Sequence, residues 1–323
     1  MYWFCFVVFF YCISFTHGHH NLYVLIKMSL FIYISVHFWD WHHHKGFDWY
    51  IDQLGFSQKR PADNTTNPLY GEITPCYIVL PPSTISEIHN CFPELKVVFV
   101  ARDLVDRAWS AMIMELRDQS MGLNAGEFGN GIIPGGGGNN EQSKKRAKKS
   151  SQNTTLTVAQ QRRIQQQSSP SAQPDSYYLE RLRSETHTSR SDYATHLKNW
   201  YRHFPSKNVL IIDFRDIASK PREVLLKIAM HIGVDENDAK NYIEQLNDDD
   251  VRQRVNAATS NNMESKSPAN QKASDETSQH ILSERPRLRK QMEQYLNPYA
   301  TSFNSLLKEE GYSWQLNEYA HRS

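Results

Sequence analysis

An arginine and a serine that follow an apolar run are the side chains of this sequence best suited to bind an anion. Arg102 comes directly after residues 97–101, whose five apolar side chains predict a buried strand. Ser110 lies in the next segment, where apolar residues recur at helical spacing. Free N–H groups at a helix start, the helix dipole and a forked guanidinium all favour phosphate. The pattern therefore predicts binding of a nucleotide or another phosphorylated ligand.

Other common ligand motifs are missing from the sequence. It contains no GxxxxGK[ST] phosphate loop, and no GxGxxG follows an apolar run. The consecutive residues His42, His43 and His44 do not have the i, i+4 spacing with which helical ligands converge on one metal ion. We interpret them as a polar surface loop and expect no metal site.

The charge of the chain gives no general reason to expect a nucleic-acid partner. The net charge is +1, so no global field attracts a polyanion. A basic run at residues 144–149 lies in Gly-, Ser- and Gln-rich sequence and predicts a solvated loop, with a nuclear-import signal as the alternative. Cys76 and Cys91 lack zinc-site spacing, and a bridge between them is an option only in a secreted protein.

The N-terminal 35 residues are strongly apolar. Residues 1–15 are too short for an ordinary spanning helix and lack the basic start of a signal peptide, and a second apolar stretch covers residues 21–41. Together they predict a membrane anchor or a route into the secretory pathway. Glycosylation patterns at Asn64 and Asn153 fit secretion. The alternative is that this stretch does not belong to the native coding sequence.

Two polar insertions, at residues 120–175 and 248–279, cannot bury enough apolar surface to order themselves. The remaining body comprises residues 36–119, 176–247 and 280–316, which is the size of one α/β domain. It shows a helix at 193–204, a strand at 209–213 and a helix opened by Pro221 and ended by Gly233. A helix at 288–295 and a separate last helix around Phe303 complete it. Alternating strands and helices predict a mainly parallel sheet with helices on both faces.

Residues 93–110 closely resemble the 3′-phosphate-binding segment of sulfotransferases that use 3′-phosphoadenosine 5′-phosphosulfate (PAPS). The resemblance implies that Arg102 and Ser110 hold the 3′-phosphate of this co-substrate. Leu104 stands where the family usually has proline. Residues 71–77 resemble the Gly-Glu-Lys-Thr-Pro-x-Tyr strand of the family, with Ile73 at the lysine position.

Two further stretches agree with the family in order and spacing. Residues 37–40 with 46–50 resemble the segment after the catalytic Lys-Glu, and residues 193–205 with 216–233 resemble the C-terminal half of heparan sulfate sulfotransferases. The resemblance implies an α/β, three-layer P-loop-NTPase-like fold. It also implies sulfuryl transfer from PAPS to a hydroxyl or amine of a carbohydrate or glycosaminoglycan-like acceptor at a Golgi membrane.

The resemblance also suggests three acceptor contacts. Glu72 and Thr74 belong to the strand that lines the substrate cleft in the family, although Glu72 has a backbone-capping role as its alternative. His196 corresponds to histidines near the acceptor in heparan-type enzymes. The alternative for His196 is a half-buried structural histidine beside Leu197 and Trp200.

The chain departs from the family at the reacting end of the donor. The catalytic Lys-Glu falls on Ile34 and Ser35, and Ser35 is a poor proton acceptor. Upstream, only Lys27 and Ser29 match the 5′-phosphosulfate loop, without the glycine that lets backbone N–H groups close on a phosphate. Either the chain is a non-catalytic relative that binds PAPS or its desulfated product, or the first 35 residues replace the true loop. The abrupt start of the resemblance at His37 favours the second explanation.

Overall fold

Four strands form the sheet within the part of the chain that the computed structural model describes, residues 7–12, 36–54, 69–120, 170–247 and 280–317. Their order across the sheet is β2–β1–β3–β4. The pair β3 and β4 is parallel, whereas β1 is antiparallel to both β2 and β3. Three strands therefore share one direction and β1 runs against them. The strands are β1 (Val7–Cys12), β2 (Leu69–Ile73), β3 (Lys96–Ala101) and β4 (Val209–Asp213).

Helices account for most of the other described residues. They are α1 (Phe47–Gln53), α2 (Pro82–Cys91), α3 (Leu104–Ser120), α4 (Asp175–Leu182), α5 (Glu185–Ser189), α6 (Tyr193–Tyr201), α7 (Phe214–Ser219), α8 (Pro221–His231), α9 (Glu236–Gln245) and α10 (Pro286–Glu309). A π-helix covers Phe38–His42, and short 3₁₀ helices cover His43–Lys45, Pro75–Val79 and Ser206–Asn208.

The alternating side chains of β3 enter two separate apolar layers, because successive residues of a strand point to opposite faces. Val97 and Phe99 pack into a large cluster with residues of α3, α6 and α10. Val98 and Val100 pack into a smaller cluster with residues of α8 and α9. The sheet is thus covered by helices on both faces, which confirms the predicted three-layer α/β class.

The two apolar runs at 97–101 and 209–213 are β3 and β4, as predicted. The helix predicted from Pro221 is α8, and Gly233 after it has a φ of 95°, a backbone conformation that glycine adopts without strain.

The prediction of two separate C-terminal helices is wrong. One helix, α10, runs for 24 residues and carries Pro298 inside it. A proline in a helix interior removes a hydrogen bond and costs about 3 kcal/mol. Leu288, Leu296 and Phe303 lie on one buried stripe that continues across the proline, and each such side chain contributes about 2 kcal/mol on burial. The continuous stripe outweighs the local cost.

Part of the apolar N-terminal stretch belongs to the sheet, since Val7–Cys12 is β1. No described helix combines the length and the apolar character needed to cross a membrane. The basic run at 144–149, the glycosylation patterns at Asn64 and Asn153, and nearly all of both predicted insertions lie outside the described residues. The predicted domain boundaries stay predictions.

Candidate functional site

The carboxyl ends of β2, β3 and β4 lie at one edge of the sheet. Ala101 pairs with Asp213, and Val8 of β1 pairs with both Ile73 and Val98. The residues that follow β2, β3 and β4 therefore leave the sheet on the same side. Open α/β sheets bind ligands at the carboxyl edge of their strands. The strands β2 and β3 are two spacings apart, roughly 10 Å, with β1 between them.

Arg102 is the first residue after β3 and is only 8% exposed. Its guanidinium carbon lies 5.2 Å from the centre of the Phe214 ring, at the start of α7. Its carbonyl accepts a hydrogen bond from the Tyr193 hydroxyl at 3.3 Å, at the start of α6. The cation is thus held at the edge where β3 and β4 end.

Ser110 lies on the exposed side of α3. Asp103, Asp106, Ser110 and Met114 are partly exposed, whereas every residue between them is buried, and this spacing of three to four residues is one face of a helix. Ser110 thus shares a face with the first turn of α3, to which Arg102 leads. The structure brings both predicted phosphate ligands to this side of the sheet.

The start of α3 differs from the expectation that its N–H groups are free. The Asp103 carboxylate accepts a hydrogen bond from the backbone N–H of Asp106 at 3.0 Å, which is an ordinary N-cap. A phosphate at this edge would therefore depend on side chains more than on the helix start. Asp103 and Asp106 also bring negative charge close to it.

Arg289 on α10 offsets part of this negative charge and was missed by the sequence analysis. Its Nη1 lies 3.8 Å from the Asp106 carboxylate. Burial and Asp103 raise the pKa of Asp106, while Arg102 and Arg289 act in the opposite direction. Arg289 also donates through Nε to Glu293 at 3.0 Å, so the Arg102 guanidinium and the Ser110 hydroxyl are the donors that suit a phosphate dianion. The sequence signal for Arg289 was weak, because one arginine in a basic helix has no distinguishing pattern.

A buried polar network fastens α3 to the segment before α6. The Arg107 guanidinium donates to the His187 carbonyl at 3.2 Å and to the Ser191 hydroxyl at 2.6 Å. About two turns further along α3, Glu115 accepts hydrogen bonds from His187 and Arg181. The helix that carries Ser110 is therefore held in place from its buried side.

Glu72 and Thr74 lie beside each other at the end of β2, where neither is open to a substrate. Glu72 is 2% exposed and Thr74 is fully buried. The Glu72 carboxylate accepts hydrogen bonds from the hydroxyls of Tyr50 at 2.6 Å, Thr74 at 2.9 Å and Tyr77 at 3.1 Å. Burial raises the pKa of Glu72 to about 7, although the three hydrogen bonds lower it. Their polar groups face one another in the interior, which argues against direct contact with an acceptor, and the acceptor contacts of Glu72 and Thr74 stay predictions.

His196 also turns towards the protein. Its Nε2 donates to the Ser189 carbonyl at 3.0 Å and lies 3.1 Å from the Ser189 hydroxyl. Burial lowers the pKa of His196, which favours the neutral ring. This geometry supports the alternative of a half-buried structural histidine and argues against an acceptor contact.

A histidine–aspartate pair that sequence reasoning did not single out stands at the start of the π-helix. The His37 Nδ1 lies 2.9 Å and 3.2 Å from the two oxygens of Asp40. The His37 ring stacks on Trp41 at 3.9 Å. Its φ of 52° is rare for a residue other than glycine, and such conformations often mark functional sites. The available signal was the His-x-x-Asp spacing at residues 37–40.

The Asp40 carboxylate selects the tautomer of the His37 ring. A carboxylate only accepts, so Nδ1 carries a proton, and in the neutral ring the lone pair lies on Nε2. A ring held in this way is the usual form of a general base. The structure connects the pair to the residues that follow β2, because the backbone N–H of Trp39 donates to the Tyr77 hydroxyl at 3.2 Å.

The remaining candidates give no site of their own. His43 pairs with Glu87 at 3.0 Å on the surface, and no group of three or more potential metal ligands is found among the described residues. Cys76 and Cys91 are free thiols, so the optional bridge is not formed. The residues at the Lys-Glu positions, Ile34 and Ser35, and the loop candidates Lys27 and Ser29 lie outside the described residues.

Comparison with known proteins identifies the family. A family profile described as "Sulfotransferase domain" matches residues 34–300. No curated protein matches the chain. Among solved structures the chain is similar to a sulfotransferase from Alicyclobacillus acidocaldarius, with 16% identity over 90% of this chain and 93% of that chain and a TM-score of 0.43. The predicted sulfotransferase resemblance is confirmed, while the heparan sulfate subgroup stays a prediction. Because the profile covers most of its length, the chain belongs to the sulfotransferase family.

Proposed function

We propose that this chain transfers a sulfuryl group from PAPS to a hydroxyl or amine of a carbohydrate acceptor. Membership of the sulfotransferase family gives the reaction class. The observation that carries the proposal is the shared edge of the sheet. Arg102 follows β3 there, and the cluster of Glu72 and Tyr77 that contacts the His37 segment follows β2 there.

The donor's 3′-phosphate fits the side chains that follow β3. Arg102 offers a forked guanidinium that lies over the Phe214 ring, while its backbone carbonyl accepts the Tyr193 hydroxyl. Ser110 adds a hydroxyl from the partly exposed face of α3. PAPS supplies the sulfuryl group, and these residues orient it by its 3′ end.

The acceptor's proton fits the lone pair of His37 Nε2. As the acceptor oxygen or nitrogen forms its bond to sulfur, the donor's bond from sulfur to the phosphate oxygen breaks and the acceptor's proton passes to Nε2. Asp40 then stabilises the positive ring through Nδ1. This assignment gives the chain a base without a carboxylate at Ser35.

A carbohydrate acceptor is supported by the resemblance of residues 193–205 and 216–233 to heparan sulfate sulfotransferases. On the same basis we propose a Golgi or secretory-pathway location, where such acceptors are made. A glycosaminoglycan is the first acceptor class to test.

The test is sulfate transfer by the full chain. The chain is incubated with ³⁵S-labelled PAPS and a panel of heparan, chondroitin and dermatan polysaccharides, and label in the polysaccharide is counted. Label in one class supports the proposal. Labelling of none, with calorimetric binding of adenosine 3′,5′-bisphosphate retained, favours the second candidate, a non-catalytic nucleotide-binding relative. Ile34 and Ser35 at the Lys-Glu positions are the observation behind that candidate.

A further inference from the structure

The Tyr77 hydroxyl links the buried Glu72 to the backbone of the His37 segment. It donates to the Glu72 carboxylate at 3.1 Å and accepts the backbone N–H of Trp39 at 3.2 Å. Trp39 is in the first turn of the π-helix, where an N–H has no partner within the helix. The position of the segment that carries His37 and Asp40 therefore depends on where the Tyr77 hydroxyl is held.

Glu72 determines that position because it accepts three hydrogen bonds at once. Its two oxygens take the hydroxyls of Tyr50, Thr74 and Tyr77, which belong to α1, the end of β2 and the 3₁₀ helix after it. All of these side chains are buried, so no water replaces a lost acceptor. A carboxylate accepts all three donors, whereas a protonated carboxyl must itself donate and displaces one of them.

We propose that Glu72 is a positioning residue that sets the His37–Asp40 pair for proton transfer, acting through the Tyr77 hydroxyl and the Trp39 amide. The proposal rests on the proposed function in taking His37 as the proton acceptor. It assigns to Glu72 a role that needs no contact with the acceptor. It also explains why a carboxylate is buried among three hydroxyls at the edge of the sheet.

The ionised form of Glu72 is the one that holds the segment. Three effects set the pKa of Glu72. Burial raises it to about 7, the hydrogen bonds from Tyr50, Thr74 and Tyr77 lower it, and the charge of Asp40 raises it. Above this pH the carboxylate holds all three hydroxyls. Below it the protonated form releases one, so the segment loosens on the acid side.

Hydrogen exchange of the Trp39 amide tests this link directly. The chain has seven tryptophans, so ¹⁵N-tryptophan labelling leaves few amide signals to assign. We expect Tyr77→Phe to speed exchange at Trp39 by about tenfold, since the amide loses its acceptor. The matched control is Tyr312→Phe. The Tyr312 hydroxyl also accepts a backbone N–H, that of Ile211 in β4, at a distance of 2.9 Å. This control should leave Trp39 unchanged.

The pH dependence separates a positioning role from general stabilisation. After correction for intrinsic exchange, protection of Trp39 in the wild type should rise between pH 6 and pH 8. In Glu72→Gln it should stay level, because glutamine does not ionise. Equal protection of Trp39 in Tyr77→Phe and wild type, or an unchanged pH response in Glu72→Gln, overturns the proposal. If Tyr77→Phe does not fold, the Glu72→Gln titration decides alone.

Exchange requires no turnover, so the two proposals fail separately. Absence of sulfate transfer with the exchange results as expected would refute only the proposed function. With transfer established, Glu72→Gln should lower kcat tenfold or more above pH 7, lower it less on the acid side, and leave KM for PAPS unchanged. An equal loss in kcat at all pH values would refute the positioning role instead.

Discussion

The guanidinium of Arg102 lies over the ring of Phe214, with 5.2 Å between its central carbon and the ring centre. The contact joins the residue after β3 to the residue after β4, across a parallel strand pair. An arginine side chain in solution samples many rotamers, and fixing it costs up to about 2 kcal/mol. The fold has already ordered this side chain. More of the free energy of the charge-assisted hydrogen bond therefore contributes to the binding of an anion.

Replacing Arg102 by alanine should remove most of the affinity for adenosine 3′,5′-bisphosphate. A hydrogen bond to a charged group contributes about 1.5–3 kcal/mol, so we expect an affinity loss of roughly 10-fold to 150-fold by calorimetry. Lys240→Ala on α9 is the charge control, since Lys240 pairs with Glu236 on the surface. Unchanged affinity in Arg102→Ala, with a melting temperature like that of wild type, would contradict the phosphate assignment.

Replacing Ser110 by alanine should weaken binding of the same nucleotide, but less than Arg102→Ala does. A neutral hydroxyl contributes about 1 kcal/mol, which is about fivefold in the dissociation constant. Ser305→Ala is the matched control, because the Ser305 hydroxyl donates to the Thr301 carbonyl on the exposed side of α10. Alanine is a good helix former, so neither change should lower stability. A Ser110→Ala affinity equal to that of Ser305→Ala would exclude Ser110 from the site.

Replacing His37 by asparagine should abolish transfer and spare nucleotide binding. General base catalysis contributes about 10²–10⁴ in rate, and we expect kcat to fall by that factor. Asp40→Asn should also lower kcat, because an amide no longer fixes the proton on Nδ1. The assay is ³⁵S transfer, with calorimetry on the same samples. Wild-type turnover in His37→Asn would show that another group takes the proton.

His231 makes the fold less stable in mild acid. Its Nε2 donates to the Val97 carbonyl at 3.1 Å, and burial and Lys96 lower the pKa of His231 to about 4. The unfolded chain has the ordinary pKa of about 6.5 and binds the proton more readily. Stability from this group is therefore complete above pH 6.5 and falls as the pH drops towards 4. The shift corresponds to about 3 kcal/mol, which screening of the partly exposed ring reduces to about 2 kcal/mol.

Urea unfolding between pH 4 and pH 7.5 measures this effect. The free energy of unfolding of His231→Gln should change less with pH than that of the wild type, and the difference between the two curves isolates His231. His280→Gln is the control, since His280 pairs with Glu284 on the surface. Parallel curves for His231→Gln and wild type would disprove the assignment.

The interior strands of the fold could be predicted from the sequence, because short apolar runs such as residues 97–101 and 209–213 in an otherwise polar chain are typical of buried strands. The strand Val7–Cys12 was not, because an apolar run beside a chain terminus equally fits an anchor or a signal. The single helix α10 was missed because Pro298 normally ends a helix. Its tolerance depends on a buried stripe that only the tertiary structure shows.

Fewer features of the candidate site could be predicted from the sequence. Arg102 was predictable because its chemistry follows from its place after a strand. The burial of Glu72 was not, because it depends on how Tyr50, 22 residues earlier in the chain, and the turn after β2 fold over the carboxylate. His37 and Asp40 were visible as a spacing, but a histidine and an aspartate three residues apart are common. Only the left-handed backbone and the stacked ring distinguish this pair.

The antiparallel strand β1 has a mechanical consequence for the whole enzyme. In the described sheet β2 is hydrogen-bonded to β1 alone, and β1 in turn to β3. Glu72 lies in β2 and Tyr77 follows it, whereas Arg102 follows β3. The six residues Val7–Cys12 are therefore the hydrogen-bonded seam between the half with Glu72 and Tyr77 and the half with Arg102. A chain cut after Cys12 would carry every site residue named above and still lose the register that brings the two halves level.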